Sequence, residues 1–271
     1  MVPTQVTQTQ KGPPKAAVVD QLGLHFPNRE FMQAAEGIMQ EAGFGVDVYD
    51  PERVTVELYK ALPTYGYGVV VFRVHIALPN ASIQTDQRDA ALFTSQRYNE
   101  VNYPLEQLGL SVQRGWISWL PNEAFFVVTP KFITEGSMSD YPSSVVILMG
   151  CNGVENEALP KSFVDRGASV VIGWSGFVST RHTDEATLIL LKMMLLEKMS
   201  IGRSVRATMN QVGADPDYGS VLGYYPDDKG NATISQLLKS HHAESELVMW
   251  MKVFAADNTS ARPARSTPPC R

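Results

Sequence analysis

VVVFRVHIA (residues 69–77) and SSVVILMGC (residues 143–151) are short, β-branched runs with almost no polar alternation. A half-buried strand alternates apolar and polar residues, whereas a strand covered on both faces is apolar throughout. The two runs are therefore predicted to be central strands of a sheet that carries helices on both sides.

The flanking sequence supplies the rest of that pattern. AAVVDQL (16–22), VDVYD (46–50) and ASVVIGWSG (168–176) read as further strands. NREFMQAAEGIMQEAG (28–43) reads as a helix with Asn28 as its cap and Gly43 as its stop, and PERVTVELYKAL (51–62) as one that starts on Pro51. EALPKSFVDRG (157–167) and TDEATLILLKMMLLEKM (183–199), the latter capped by Thr183, are also predicted to be helical. Strands that alternate with helices of this length pair in parallel, because parallel neighbours need crossover connections. The expected fold class is α/β, a three-layer α/β/α sandwich around a mostly parallel central sheet, over residues 16–256. Residues 78–142 interrupt the alternation with a hairpin pattern, AFFVVTPKFITEG (124–136), and read as an insertion. Residues 1–15 and 257–271 lack periodic apolar positions and read as flexible tails.

Composition narrows the function classes. With 23 Lys+Arg against 28 Asp+Glu and a formal net charge of −5, the chain shows no basic patch for nucleic acid. ATLILLKMMLL (186–196) is too short for a membrane span and is broken by Lys192. No signal peptide is readable at the start, so the expected location is cytoplasmic. The two cysteines, Cys151 and Cys270, are too few for a disulfide scaffold or a cysteine-based zinc site. No metal or organic cofactor is expected.

Ligands of open parallel sheets bind beyond the carboxyl ends of the strands. The residues at those ends are Asp20, leading to His25; Asp50; His75; Cys151; and Trp174 with Ser175. A thiol with a pKa of about 8.5 needs a neighbouring imidazole or dipole to become a nucleophile near neutrality. If the strands that end at His75 and Cys151 are neighbours, their ends lie about 5 Å apart. The alternative for Cys151 is a core residue, since free cysteine is among the most buried types. Asn152 and Gly153 suit a sharp turn that aims backbone N–H groups at an oxyanion.

The segments VVVFRVHIA, SSVVILMGCNG and GASVVIGWSGFVSTRHTDEATLILLKMML (167–195) resemble the caspase-like cysteine peptidases, in particular their CHAT and gingipain-like domains. In that superfamily one hydrophobic strand ends in the catalytic histidine and the next in the catalytic cysteine. The resemblance covers the order of elements over residues 16–226. It implies a thiol protease that hydrolyses peptide bonds of a peptide or protein substrate through a thioester, with Cys151 as nucleophile and His75 as base and proton donor. The backbone N–H groups of Cys151 and Ile76 would hold the oxyanion; these families usually have glycine where this chain has Ile76. Trp174, Ser175 and Asp184 are the candidate substrate-binding residues, Asp184 for a basic side chain. For Asp184 and Glu185 the simpler role is to face the N-terminal dipole of their helix, and for Trp174 it is burial in the core. Two other readings stay open. One is a glutaminase-like α/β hydrolase that pairs Cys151 with His182. The other is a catalytically silent caspase-like module that binds a partner through the same edge. The sequence leaves the oligomeric state open, and His241 and His242, in a polar late helix, need no function.

Overall fold

The computed structural model describes residues 12–77, 89–117, 119–120 and 122–238. The expected outer parts of both tails, the helix with His241, His242, Met249, Trp250 and Met251, and Cys270 lie outside the described residues.

The chain runs β1 (Lys15–Asp20), α1 (Arg29–Glu41), β2 (Gly45–Tyr49), α2 (Val56–Ala61), β3 (Tyr67–Arg73), β4 (Ile76–Ala77), β5 (Ala91–Arg97), α3 (Pro104–Leu108), β6 (Val112–Trp116) and β7 (Ala124–Val128). It continues through β8 (Val145–Leu148), α4 (Ala158–Asp165), β9 (Val170–Trp174), α5 (Thr180–Leu191), α6 (Ile201–Val212) and β10 (Leu222–Tyr225). Six strands form a mostly parallel sheet in the order β10-β9-β8-β3-β1-β2, with only β10 antiparallel. The apolar run at 69–77 is indeed central: every residue of β3 is buried.

Alternate residues of the central strands feed two cores. Val69, Val71, Val145 and Ile147 pack with Phe31, Ala35 and Met39 of α1, Leu190 of α5 and Ile201 of α6. Val70, Phe72, Val146 and Leu148 pack with Tyr59 of α2, Leu159 and Phe163 of α4, and one side of a second sheet. That sheet, β4-β5-β7-β6, is antiparallel and built mainly from the expected insertion.

Four local expectations change. The helix expected to start on Pro51 is a short 3-10 turn at Pro51–Arg53 followed by α2, which Thr55 caps by accepting from Leu58 N at 3.2 Å. The run 69–77 is not one strand: the chain leaves the first sheet after Arg73 and enters the second at Ile76, so His75 sits at the switch between them. The apolar residues on both sides conceal this, because both destinations are buried. The 124–136 hairpin does not form; β7 pairs with β5 and β6, and Phe132–Gly136 is a π-helical turn. Thr183 does not cap its helix, which starts at Thr180 after Ser179. Asn28 does cap α1, its Oδ1 accepting from Phe31 N at 3.0 Å.

Gly150, between β8 and Cys151, lies against the chain at the switch. A β-carbon there would meet the Val74 carbonyl oxygen and come within 2.6 Å of Ile76 Cγ1 and 2.9 Å of Ile76 N. Gly150→Ala is therefore expected to lower stability by about 1–3 kcal/mol, read as a drop in the urea midpoint. Gly37→Ala, in α1 with nothing within 4 Å of its virtual β-carbon, should raise stability by up to ~1 kcal/mol. Equal effects would contradict the close approach.

Candidate active site

The parallel pairing of β3 with β8, from Val69 opposite Val145 to Phe72 opposite Leu148, makes the strands that lead to His75 and Cys151 direct neighbours. The segments beyond them stay in contact through Gly150 and the Val74–Ile76 backbone. His75 and Cys151 thus emerge at the same end of the sheet, on adjoining segments.

His75 is held through its main chain. Its N–H donates to Gln21 Oε1 at 2.9 Å, and its carbonyl accepts from Phe93 N at 2.9 Å. Its ring sits among Trp119, Phe93, Phe26 and His25, with centroids 5.4, 6.0, 6.1 and 6.1 Å away. Burial, aided by the positive potential of His25 and Arg73, lowers its pKa to about 4. Among the described residues its enclosed Nε2 has no hydrogen-bond partner.

Cys151 is half-buried at the start of a turn in which Asn152, at φ 59°, donates to Gly176 O, and Val154 N donates to Trp174 O. Its Sγ is 3.8 Å from the Val178 carbonyl, in the loop between β9 and α5. Burial pushes its pKa above the ordinary thiol value and the Asp215 carboxylate adds to this, while backbone groups of Val178 and of Cys151 itself pull the other way. No hydrogen bond joins the Cys151 and His75 side chains among the described residues. At rest the Cys151 thiol is uncharged and the His75 imidazole is neutral, so the two do not form an ion pair.

The other candidates separate. Ile76 is buried and paired with Leu92. Trp174 faces inward: its Nε1 donates to Thr183 Oγ1 at 2.9 Å, and Thr183 donates to Met149 O at 2.8 Å, tying α5 to the ends of β8 and β9. Ser175 is exposed, with N donating to Val221 O and Oγ accepting from Val221 N, so it fastens the β10 edge. His182 packs against Trp174 with its Nε2 3.2 Å from Gly213 O, which commits it away from Cys151.

Asp184 is the clearest correction to an expected role. It is 5% exposed, and its two oxygens accept from Arg73 Nε and Nη2, each at 2.8 Å, with Asn28 Nδ2 at 2.9 Å as a third donor. Such a carboxylate has no free edge for a substrate cation. Arg73, wholly buried, also donates to Asp20 Oδ1 at 2.8 Å and to Phe26 O at 3.0 Å. Burial raises the Asp20 pKa against the pull of Arg73. The sequence reading missed Arg73, Gln21 and Trp119. An arginine inside an apolar strand was the available signal, since a buried guanidinium requires carboxylate partners.

Asp215 is also buried and missed. Burial acts to raise its pKa, but hydrogen bonds from Ser179 N and Oγ, Asp217 N and Tyr218 N prevail and lower it. It anchors the loop that carries the Val178 carbonyl. Among the described residues no group of three or more His, Cys, Asp or Glu could hold a metal ion, and no helix is long and apolar enough to cross a membrane.

Two measurements follow from this geometry. By proton NMR, His75 should titrate with a midpoint near 4. The fold keeps it neutral while the unfolded chain binds a proton near pH 6.5, so its contribution is complete above pH 6.5. It is lost as pH falls towards 4, by at most ~3 kcal/mol. A midpoint near 6.5 would refute the enclosure. Asp184→Leu should cost about 3–5 kcal/mol by leaving a buried guanidinium short of a partner, whereas Ser175→Ala should shift the denaturation midpoint by ~0.5 kcal/mol or less.

No protein-family model matches this chain, and no curated protein matches it either.

Proposed function

We propose that this chain is a cysteine-type peptidase of caspase-like architecture that cleaves peptide or protein substrates with His75 and Cys151. The carrying observation is the direct parallel pairing of β3 and β8, with Gly150 seated against the Val74–Ile76 backbone. It supports the arrangement implied by the resemblance, in which adjoining strands deliver histidine and cysteine to one rim. The sheet with helices and a second sheet over its two faces is compatible with the three-layer sandwich that reading requires.

The protonation states define how the reaction would run. A neutral imidazole of lowered pKa is an acceptor, and an uncharged thiol is a donor. As Sγ attacks the scissile carbonyl carbon, the thiol proton passes to His75 and the carbonyl oxygen becomes an oxyanion. The oxyanion is taken by backbone N–H groups at Cys151 and Ile76. When the C–N bond breaks, His75 returns the proton to the leaving amine and a thioester remains. Water, deprotonated by His75, then attacks the thioester; carboxylic acid leaves and the thiol is restored. These steps require no metal or organic cofactor.

A second reading has an observation of its own. The Cys151 sulfur turns to the Val178 carbonyl and its pKa is raised, as suits a silent module that binds a partner at this edge. The readings part on one experiment. For a peptidase, Cys151→Ala and His75→Ala should each lower kcat/KM for a cleaved peptide at least ~10²-fold, and Cys151→Ala should end labelling by a peptidyl electrophile. The silent module predicts no turnover and a Cys151 thiol that alkylates no faster than a free cysteine at the same pH. Normal cleavage by His75→Ala would dismiss the dyad.

A further inference from the structure

The rings around His75 form a surface that the chemical steps above do not use. Phe26, from the segment after β1, and Trp119, from the connection between β6 and β7, meet edge to face at 5.6 Å, and both also contact the His75 ring. They remain 37% and 53% exposed. Phe26 is held from beneath by its carbonyl, which accepts from buried Arg73, and Phe93 and Phe125 back the two histidines from the second sheet. Two enclosed ring nitrogens, His75 Nε2 and His25 Nδ1, have no hydrogen-bond partner among the described residues.

Chemistry sets the side of the substrate that this surface meets. The group that protonates the leaving amine stands on the amine side of the scissile bond. The Cys151 sulfur faces the Val178 loop, and the aromatic rings lie around His75. From this the geometry points to a leaving-side subsite, formed by Phe26 and Trp119 over His75 and His25, that selects peptides with a bulky apolar or aromatic residue directly after the cleaved bond. The inference rests on the peptidase reading and adds a substrate class to it. Ring edges and faces at this spacing suit an aromatic or branched aliphatic side chain, and an acidic or small residue there would leave the rings wet. Trp119 and Phe26 are specificity-determining residues in this scheme, and neither takes part in proton transfer.

The test is digestion of a denatured protein mixture by the full chain, with mass spectrometry of the new N-termini, followed by kinetics on matched peptides that differ only after the cut. New N-termini should be enriched in Phe, Tyr, Trp, Leu and Ile. A peptide with Phe there should exceed its Gly counterpart in kcat/KM by about tenfold or more. Trp119→Ala and Phe26→Ala should bring that ratio towards one, mainly through KM, and Trp119→Phe should restore most of it. Trp119 is exposed, so a circular dichroism spectrum and melting midpoint close to wild type are expected for its variants. Cys151-dependent cleavage with a ratio that neither substitution changes, or with a preference for acidic residues, overturns the subsite alone. Cleavage that survives Cys151→Ala, or no cleavage of any peptide, overturns the peptidase reading and the subsite with it.

Discussion

A guanidinium without solvent is the constraint on which this end of the molecule depends. Arg73 closes β3, and its charge is met by Asp184 from α5, Asp20 from β1 and the Phe26 carbonyl. Each partner comes from a different part of the chain, so the pairing brings the ends of β1 and β3, the segment after β1 and the first turns of α5 together. Removal of any one member would leave a buried charge underpaired, which costs far more than a surface pair contributes. Two carboxylates facing one guanidinium leave an excess of negative charge, and burial answers by raising the pKa of Asp20. Asn28 extends the arrangement, since one amide caps α1 with its oxygen and binds Asp184 with its nitrogen.

The rim above is shaped by this cluster. Arg73 holds the Phe26 carbonyl, and with it the aromatic segment beside His75, whose own backbone is held by Gln21 and Phe93. The opposite flank has its own anchor in Asp215, which accepts two hydrogen bonds from Ser179, next to the Val178 carbonyl that faces the sulfur, and two more from Asp217 N and Tyr218 N. The two flanks create different environments. Aromatic rings and nearby positive charge keep His75 neutral, while partial burial beside a carboxylate keeps Cys151 protonated.

Some of this arrangement was legible in the residues. The apolar runs identified the central strands, because only strands covered on both faces can be apolar throughout. Asn28 announced its helix by a capping side chain in front of a periodic apolar pattern. The break at Val74 was not legible, since one buried sheet hands the chain to another and the Arg73 and His75 that flank it fit the end of a single strand equally well. Trp174 and Asp184 lie at the expected ends of their strand and helix but turn inward, to Thr183 and to Arg73. Sequence position places a residue at the end of a strand or the start of a helix, but not on the inner or outer side of the rim.

By itself the sequence determined the alternation of strands and helices, the mostly parallel sheet and the placement of a histidine and a cysteine near the carboxyl ends of two central strands. These properties follow from local periodicity and from the crossover that parallel pairing requires. Only the tertiary structure decided that β3 and β8 are neighbours, that Asp184 belongs to Arg73, and that His75 lies in an aromatic enclosure while the sulfur of Cys151 turns to a carbonyl. Those are contacts between segments far apart in the chain, set by the packing of whole faces and by the demand that every buried charge find a partner, and no local pattern encodes them.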